Sequence, residues 1–361
     1  MKSSHLLLVL MGLMTQVICL VLLPSRPRKV GALAALLLDA IWFAWYASDN
    51  RSLSISGIWA LSPVATWLCL HLVLGPVTAV EVAARILPWK RAVRLLGFSL
   101  ILSTYAWGLG EAYGPPVLTE QSLSFPDLPP AFEGYRIILL GDVHAGTFAG
   151  TRTLRRWAQA VDQVPADLLV GAGDFVSYWP EEAERTGEAF KHLHLPDGLV
   201  GVPGNHDQYS QTDEVAERLR RHGWVMLLDQ SLVIQRQGQQ LLLLGERFPI
   251  EGQEPYRAAW AQKPWPSGFR IGICHDPEQW PTLLQEGARL TLAAHTHGGQ
   301  VNLSPFYNAA LERSPVLAGL YRKGADCLFV TRGLGCTSLP IRFRCRPEIV
   351  RITLHRAPQG A

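Results

Sequence analysis

Side chains that can bind cations or move protons follow five short apolar runs in this sequence. They occur in the order Asp142-Val-His144, Gly173-Asp174, Gly204-Asn205-His206-Asp207, His275 and His295-Thr-His297. Ligands bind at the carboxyl ends of strands in α/β sheets, so we expect these side chains to converge on one crevice. Carboxylate and amide oxygens mixed with imidazoles suit Mn²⁺, Fe or Zn²⁺. The sequence therefore predicts a metal site.

His295 and His297 are separated by one residue, which would place them on opposite faces of a strand. They can reach the same site only where the strand breaks into a loop. Gly298-Gly299 supplies that break, because glycine adopts backbone conformations that other residues avoid.

The elements that position these residues alternate between two patterns. Runs rich in Val, Ile and Leu are typical of buried strands and occupy 136–142, 167–174, 199–207, 270–275 and 289–297. Helical patterns lie at 152–163, 180–193 and 212–222. In the first of these, Leu154, Trp157, Ala158 and Val161 follow helical spacing. Strands alternating with helices predict βαβ units.

In this order, the motifs resemble the five blocks of the calcineurin-like metallophosphoesterases, from about residue 134 to 355. The segments 330–335, 340–342 and 347–349 resemble a bacterial branch whose domain follows membrane spans. The departures are Ala294, where the family usually has Gly, and Gly141, where Ser is common. The resemblance implies an α/β fold, a four-layer α/β/β/α metallophosphoesterase sandwich preceded by an all-α transmembrane region.

The resemblance also implies two divalent metal ions per site, with Mn, Fe or Zn as candidates. It assigns Asp142, His144 and His297 to the first metal, Asn205, His275 and His295 to the second, and Asp174 to both. His206 would face the phosphate, and Asp207 would orient its imidazole. The expected activity is that of a phosphodiesterase, which hydrolyses a phosphate ester or pyrophosphate by metal-activated hydroxide. One form of this expectation is that the substrate is linked to a lipid.

Composition divides the chain in two. It is 48% hydrophobic and 17% charged, against a usual charged share of about 25%. Apolar runs at 6–23, 30–47, 58–80 and 95–110 approach the roughly 20 residues that a membrane span needs. We expect four spans in 1–110, a linker with an edge strand in 111–133 and the metallophosphoesterase domain in 134–357.

Loop charges predict the orientation. Loops rich in Lys and Arg stay cytoplasmic, and these residues concentrate at 26–29 and 85–94. With four spans the protein is a multi-pass inner-membrane protein whose catalytic domain is periplasmic. If 95–110 does not span, the domain is cytoplasmic. Asp39, inside the second run, is either a polar site in the bundle or a paired structural residue.

Other functions stay open at this stage. A nuclease is disfavoured and no nucleic-acid partner is expected, because residues 121–361 carry 24 Lys and Arg against 25 Asp and Glu. A non-catalytic membrane scaffold is a further alternative. Arg332 and Arg342 could contact a substrate phosphate or form a salt bridge. A disulfide among Cys327, Cys336 and Cys345 is possible.

Overall fold

The computed structural model describes residues 79–80, 83–84, 89–146, 148–249, 268–302, 316–337 and 339–357. The predicted spans 6–23 and 30–47, most of 58–80, and Asp39 lie outside these residues. The chain divides into two compact units, Met1–Trp107 and Gly108–Ala361. The predicted site residues belong to the second unit.

Helix α1, Lys90–Tyr113, covers the predicted fourth span. Among the described residues it is the one helix long and apolar enough to cross a membrane, over Arg91–Tyr113. Leu95, Leu96 and Leu100 are about 70% exposed, at 70%, 72% and 69%. A row of exposed leucines is unfavourable in water and suits a lipid environment.

In the part of the second unit that the structure describes, the strands form two six-stranded sheets. The strands are β1 Val117–Phe125, β2 Tyr135–Leu140, β3 Leu168–Ala172, β4 Leu199–Val202, β5 Trp224–Met226, β6 Gln230–Arg236, β7 Gln239–Gly245, β8 Phe269–Ile273, β9 Leu290–Ala293, β10 Gly319–Lys323, β11 Asp326–Val330 and β12 Glu348–Arg356. The first sheet has the order β1-β12-β2-β3-β4-β5, and the second β10-β11-β9-β8-β7-β6. Strands β2 to β5 are parallel, as are β7, β8, β9 and β11.

Among the described residues, five shorter helices accompany the sheets. They are α2 Thr151–Asp162, α3 Glu182–Phe190, α4 Asn205–Tyr209, α5 Thr212–Arg220 and α6 Trp280–Gln285. The helical patterns in the sequence correspond to α2, α3 and α5, and the five apolar runs to β2, β3, β4, β8 and β9.

Both faces of the first sheet are buried, and successive side chains along a strand pack on opposite faces. Ile137 and Leu139 of β2 belong to the central core, which also contains Leu243, Ile271 and other residues of the second sheet. Their neighbours in β2 face the opposite way, against a second core built with α2, α3 and α5. This alternation follows from the two-residue repeat of a strand.

The outer face of the second sheet is also covered. Leu242, Leu244 and Leu328 pack there with Leu283 of α6. The layers of the second unit are therefore helices, sheet, sheet and helix. The chain enters them through β1, an edge strand that runs parallel to β12 in register from Val117 with Glu348.

The two sheets meet closely where β2 and β9 end. A Cβ placed on Gly141 would overlap the methyl group of Ala294. Glycine at 141 therefore makes room for alanine at 294, which explains the two departures from the family pattern as one paired change.

Candidate metal centre

The predicted site residues all follow strand ends. Asp142 and His144 follow β2, Asp174 follows β3, Asn205 and His206 begin α4 after β4, His275 follows β8, and His295 and His297 follow β9. Most are buried, while His206 and His295 are partly exposed. The fold brings all eight side chains to one place, between the two sheets.

Asp174 lies at the centre of this cluster. Its Oδ2 is 3.4 Å from His144 Nε2 and 3.3 Å from His275 Nε2. Its Oδ1 accepts a hydrogen bond of 2.8 Å from the His206 backbone N–H. Burial opposes ionisation, but the nearby His275, His206 and His144 hold the pKa of Asp174 well below its usual range. Asp174 is thus an anion shared by two histidine groups.

The first group contains Asp142, His144 and His297, whose ligand atoms lie within 4.8 Å of one another. His144 Nε2 is 3.0 Å from His297 Nε2, which is itself 3.7 Å from Asp142 Oδ1. Burial lowers the pKa of His144 to about 3 and that of His297 well below its usual value. Both imidazoles are therefore neutral near pH 7, the form that binds metals.

Asp142 supplies an independent test of whether these residues fit a cation. Its Oδ2 is buried and has no hydrogen-bond partner among the residues that the structure describes. An unpaired buried carboxylate oxygen is costly. Together with two neutral imidazoles whose nitrogens face each other, it forms a donor set that a divalent cation would satisfy.

The second group contains Asn205, His275 and His295. His275 Nε2 lies 3.1 Å from Asn205 Oδ1 and 3.2 Å from His295 Nδ1. His275 Nδ1 is 2.7 Å from the carbonyl oxygen of Ala172, which can only accept, so Nδ1 carries a proton. Burial opposes the charged form of His275, but Asp174 and Asp142 raise its pKa to about 10.

Backbone strain is concentrated at these strand ends. The φ angles are 49° at Asp142, 46° at His144, 54° at Asp174, 73° at His295 and 51° at His297. Side chains with a Cβ rarely adopt this left-handed region, which costs about 1–3 kcal/mol per residue. Strain of this kind clusters at functional sites, because the surrounding structure must hold such residues in place.

His206 faces the first group from the side of α4. Its ring lies edge-on to that of His144, with centroids 4.6 Å apart. Its Nδ1 is 2.6 Å from the carbonyl oxygen of Ser177. His206 also groups with His144 and Asp174 within 4.8 Å, so it lies close enough to reach a ligand held there.

Asp207 does not orient His206 as the resemblance implied. Its Oδ1 accepts hydrogen bonds from the backbone of Phe175 at 2.9 Å and Val176 at 3.1 Å, and its Oδ2 from Gly204 at 2.8 Å. Successive residues on a helix point in different directions, and an acid at the third position reaches back to the helix start. The group that meets the His206 ring is the Ser177 carbonyl.

Comparison with known proteins now identifies the domain. Residues 135–299 match the family model described as calcineurin-like phosphoesterase. The chain carries a calcineurin-like metallophosphoesterase domain. It is a hydrolase that acts on ester bonds.

Three relatives of this metallophosphoesterase support the assignment. The chain is 27% identical over 251 residues to the uncharacterized metallophosphoesterase YkuE of Bacillus subtilis, covering 65% of this chain and 84% of the relative. It is 29% identical to phosphodiesterase YaeI of Escherichia coli, covering 61% and 82%. It is 27% identical to a transmembrane protein with metallophosphoesterase domain of Danio rerio, covering 74% and 64%.

Sequence reasoning missed one supporting residue of the metallophosphoesterase site, Glu182. Its buried Oε2 accepts backbone hydrogen bonds from Ser177, Tyr178 and Trp179, at 2.9, 2.9 and 3.2 Å. It thereby shapes the turn whose carbonyl meets His206. The available signal was an acidic residue in the first turn of a helix, which commonly binds free backbone N–H groups.

The open interpretations of the tail are also resolved. Arg332 forms an ion pair of 2.7 Å with Glu348. Arg342 is fully buried among backbone carbonyls rather than held in a salt bridge. Cys327, Cys336 and Cys345 are free thiols, so the disulfide considered among them is not formed.

Proposed function

We propose that this protein is a membrane-anchored phosphodiesterase that uses two divalent cations to hydrolyse a phosphodiester or pyrophosphate bond in a lipid-linked substrate. The observation that carries the proposal is the position of Asp174 Oδ2, 3.4 and 3.3 Å from imidazole nitrogens of the two histidine groups. A carboxylate placed this way can serve two cations at once, as two-metal hydrolases require.

Each cation has its own set of residues in this proposal. Asp142, His144 and His297 would hold the first cation, and Asn205, His275 and His295 the second. When bound, the cations would lower the pKa of an attacking water and neutralise charge on the phosphoryl oxygens. Manganese, iron and zinc all accept this mixture of oxygen and imidazole ligands.

The chain's own proton donor in this scheme is His206. Because the Ser177 carbonyl accepts from Nδ1, the ring is held with Nε2 free for the substrate. A proton on Nε2 would be donated to a phosphoryl oxygen or to the leaving oxygen. Asp207 would act indirectly, because it holds the backbone at Phe175, Val176 and Gly204 on either side of this site.

The membrane anchor rests on α1, whose apolar length matches a span. Lys90, Arg91 and Arg94 lie at its start, which favours a cytoplasmic start and an extracytoplasmic metallophosphoesterase domain. We propose a multi-pass protein of this orientation. A carboxyl-terminal alkaline phosphatase fusion should be active and a fluorescent protein fusion dark. The reverse pair of results would place the domain in the cytoplasm.

Purified full-length protein in detergent tests the chemistry. With Mn²⁺ supplied, we expect bis-p-nitrophenyl phosphate to be hydrolysed faster than the p-nitrophenyl monoester. A protein that binds two cations but cleaves neither ester would contradict the enzymatic proposal. Faster monoester cleavage would contradict the diesterase assignment alone.

The lipid-linked part of the proposal needs a separate comparison. A phosphodiester carried on a diacyl lipid in mixed micelles should be cleaved with higher kcat/KM than its water-soluble head-group analogue. Equal values for the two substrates would remove the lipid from the proposal and leave the phosphodiesterase intact. The wild-type rate on a soluble phosphodiester, measured over the same range of detergent concentrations, provides the reference.

A further inference from the structure

Arg342 is a buried guanidinium with an unusual set of partners. It is 0% exposed, and its N–H groups donate to the main-chain carbonyls of Arg332 at 3.0 Å, Cys345 at 3.0 Å and Gly333 at 3.4 Å. Two further N–H groups donate to the carbonyl of Gly335. A buried charge is costly unless its donors are satisfied, and here backbone dipoles satisfy them.

One segment held by Arg342 lies directly on Asp142. The Leu334 N–H donates to the Gly141 carbonyl at 3.0 Å, and the Gly335 N–H donates to the Asp142 carbonyl at 2.6 Å. A Cβ on Gly333 would lie 2.5 Å from Asp142 Oδ2. Backbone and carboxylate are thus in van der Waals contact, and the segment 333–335 determines where Asp142 lies.

The other segment held by Arg342 lies on His297. The Cys345 thiol donates to the His297 carbonyl at 3.0 Å, and Arg342 Nη2 is itself 3.5 Å from His297 Nδ1. Burial raises the pKa of the Cys345 thiol, so it is a neutral donor here. Cys345 is therefore tied to the strained turn at His297, whose φ is 51°.

We propose that Arg342 is a positioning residue for the first cation, because its guanidinium joins the backbone that sets Asp142 to the backbone that sets His297. The proposal rests on the two-cation function proposed above. It assigns no contact with the substrate to Arg342. Asn205 begins α4 and His275 is held by the Ala172 carbonyl, so the second cation should depend on Arg342 far less than the first; its link to the first position is the His295 N–H, which donates to Asp142 Oδ1.

Arginine suits this task better than lysine. A guanidinium presents five N–H donors in a fixed plane, whereas an ammonium presents three donors at one point. Nη1 of Arg342 joins the two backbone segments, because it donates to both Arg332 and Cys345, while Nη2 donates to Gly333 and Gly335 of the first segment. Lysine would keep the charge but would not hold both segments.

Titration of metal-free, full-length protein with Mn²⁺ tests the proposal. The full chain is needed because the Arg342 N–H bonds to the Gly108 carbonyl at the end of α1. Wild type should bind two cations. In Arg342→Met the first cation should bind about 10- to 100-fold more weakly, as is usual when a supporting residue is lost, and the second should be affected much less. Adding Asn205→Ala to Arg342→Met should then remove the remaining tight cation.

Arg332→Met is the matched control. It removes a neighbouring, partly buried arginine that pairs with Glu348, so it should lower the melting temperature while both cations still bind as in wild type. Equal loss of cation binding in Arg332→Met and Arg342→Met would indicate that either substitution weakens the packing of the whole tail, and it would overturn the proposal. Unchanged binding in Arg342→Met would overturn it directly.

If Arg342→Met does not fold, Arg342→Lys tests the positioning role of Arg342 instead. The charge is kept, and the first cation should still be weakened, because lysine cannot hold both backbone segments. Wild-type binding in Arg342→Lys would overturn the proposal. Wild-type protein that binds no cation at all would instead refute the two-cation function and leave Arg342 a structural residue.

Discussion

The two candidate cation positions share one carboxylate but differ in backbone strain. All three residues of the first position are left-handed, with φ of 49°, 46° and 51° at Asp142, His144 and His297. In the second position His295 has φ of 73°, whereas Asn205 begins the helix α4 and His275 follows β8. The first position is therefore the one that needs the surrounding fold to hold it in place.

Protonation separates the two positions as well. Burial keeps His144 and His297 neutral, while Asp174 and Asp142 raise the pKa of His275 to about 10. The first position is enclosed, and the second includes the partly exposed His295. The comparison indicates a preorganised inner position and an outer position that holds a proton when no metal is bound.

Asp174→Asn should have the largest effect, because Asp174 is the residue that both positions share. An amide cannot supply the negative charge that two cations require, so we expect both to be lost and hydrolysis to fall to background. Metal content after gel filtration and phosphodiester turnover measure the two effects together. Two cations retained in this variant would contradict the shared role.

His206→Asn should leave both positions intact and remove turnover. Proton donation by a positioned side chain contributes about 10²- to 10⁴-fold, so kcat should fall within that range while Mn²⁺ stoichiometry stays at the wild-type value. Full activity would refute the assignment of His206. Loss of one cation would show instead that His206 is a ligand, as its proximity to His144 and Asp174 allows.

Proton release on metal binding should distinguish the two positions. Burial raises the pKa of Asp142 to about 7, and nearby carboxylates raise that of His275 to about 10, so near neutral pH metal-free protein carries a proton on His275 and a partial proton on Asp142. Cation binding displaces them, so affinity should decrease as pH falls. Calorimetry in buffers of different ionisation enthalpy should count about one proton released per protein at pH 8, from His275 of the second position, and a further fraction from Asp142 near pH 7. No release at pH 8 would contradict the raised pKa.

Five of the buried strands, and the residues that follow them, could be predicted from the sequence for a simple reason. The runs that became β2, β3, β4, β8 and β9 are short and apolar, and each ends directly in the residues that converge. Local sequence determines both features, so neither required knowledge of distant contacts.

The supporting contacts could not be predicted, because no pattern of residue types in the sequence reveals them. His206 meets the carbonyl of Ser177, 29 residues earlier, and not the adjacent Asp207. Arg342 donates to the main-chain carbonyls of Arg332 and Gly333, which no charge pattern reveals. The left-handed backbone conformation at Asp142 and His144 could not be predicted either, because aspartate and histidine indicate a positive φ far less strongly than glycine does.

The contact between Gly141 and Ala294 should set the distance between the two positions, because Gly141 precedes Asp142 and Ala294 precedes His295. Gly141→Ser would overlap the Ala294 methyl and lie against Thr331, and overpacking of this kind typically costs about 1–3 kcal/mol. We expect a lower melting temperature in detergent and weaker binding of both cations.

Ala294→Gly should rescue Gly141→Ser, because it removes the methyl group that the serine would strike. The double variant should remain about 0.5–1 kcal/mol less stable than wild type, owing to the added backbone freedom of glycine at 294. Ala294→Gly alone completes the cycle and measures the coupling between the two residues. A double variant less stable than Gly141→Ser would show that the two sheets are not held apart by this contact, and the separation of the cation positions would then depend on the loops alone.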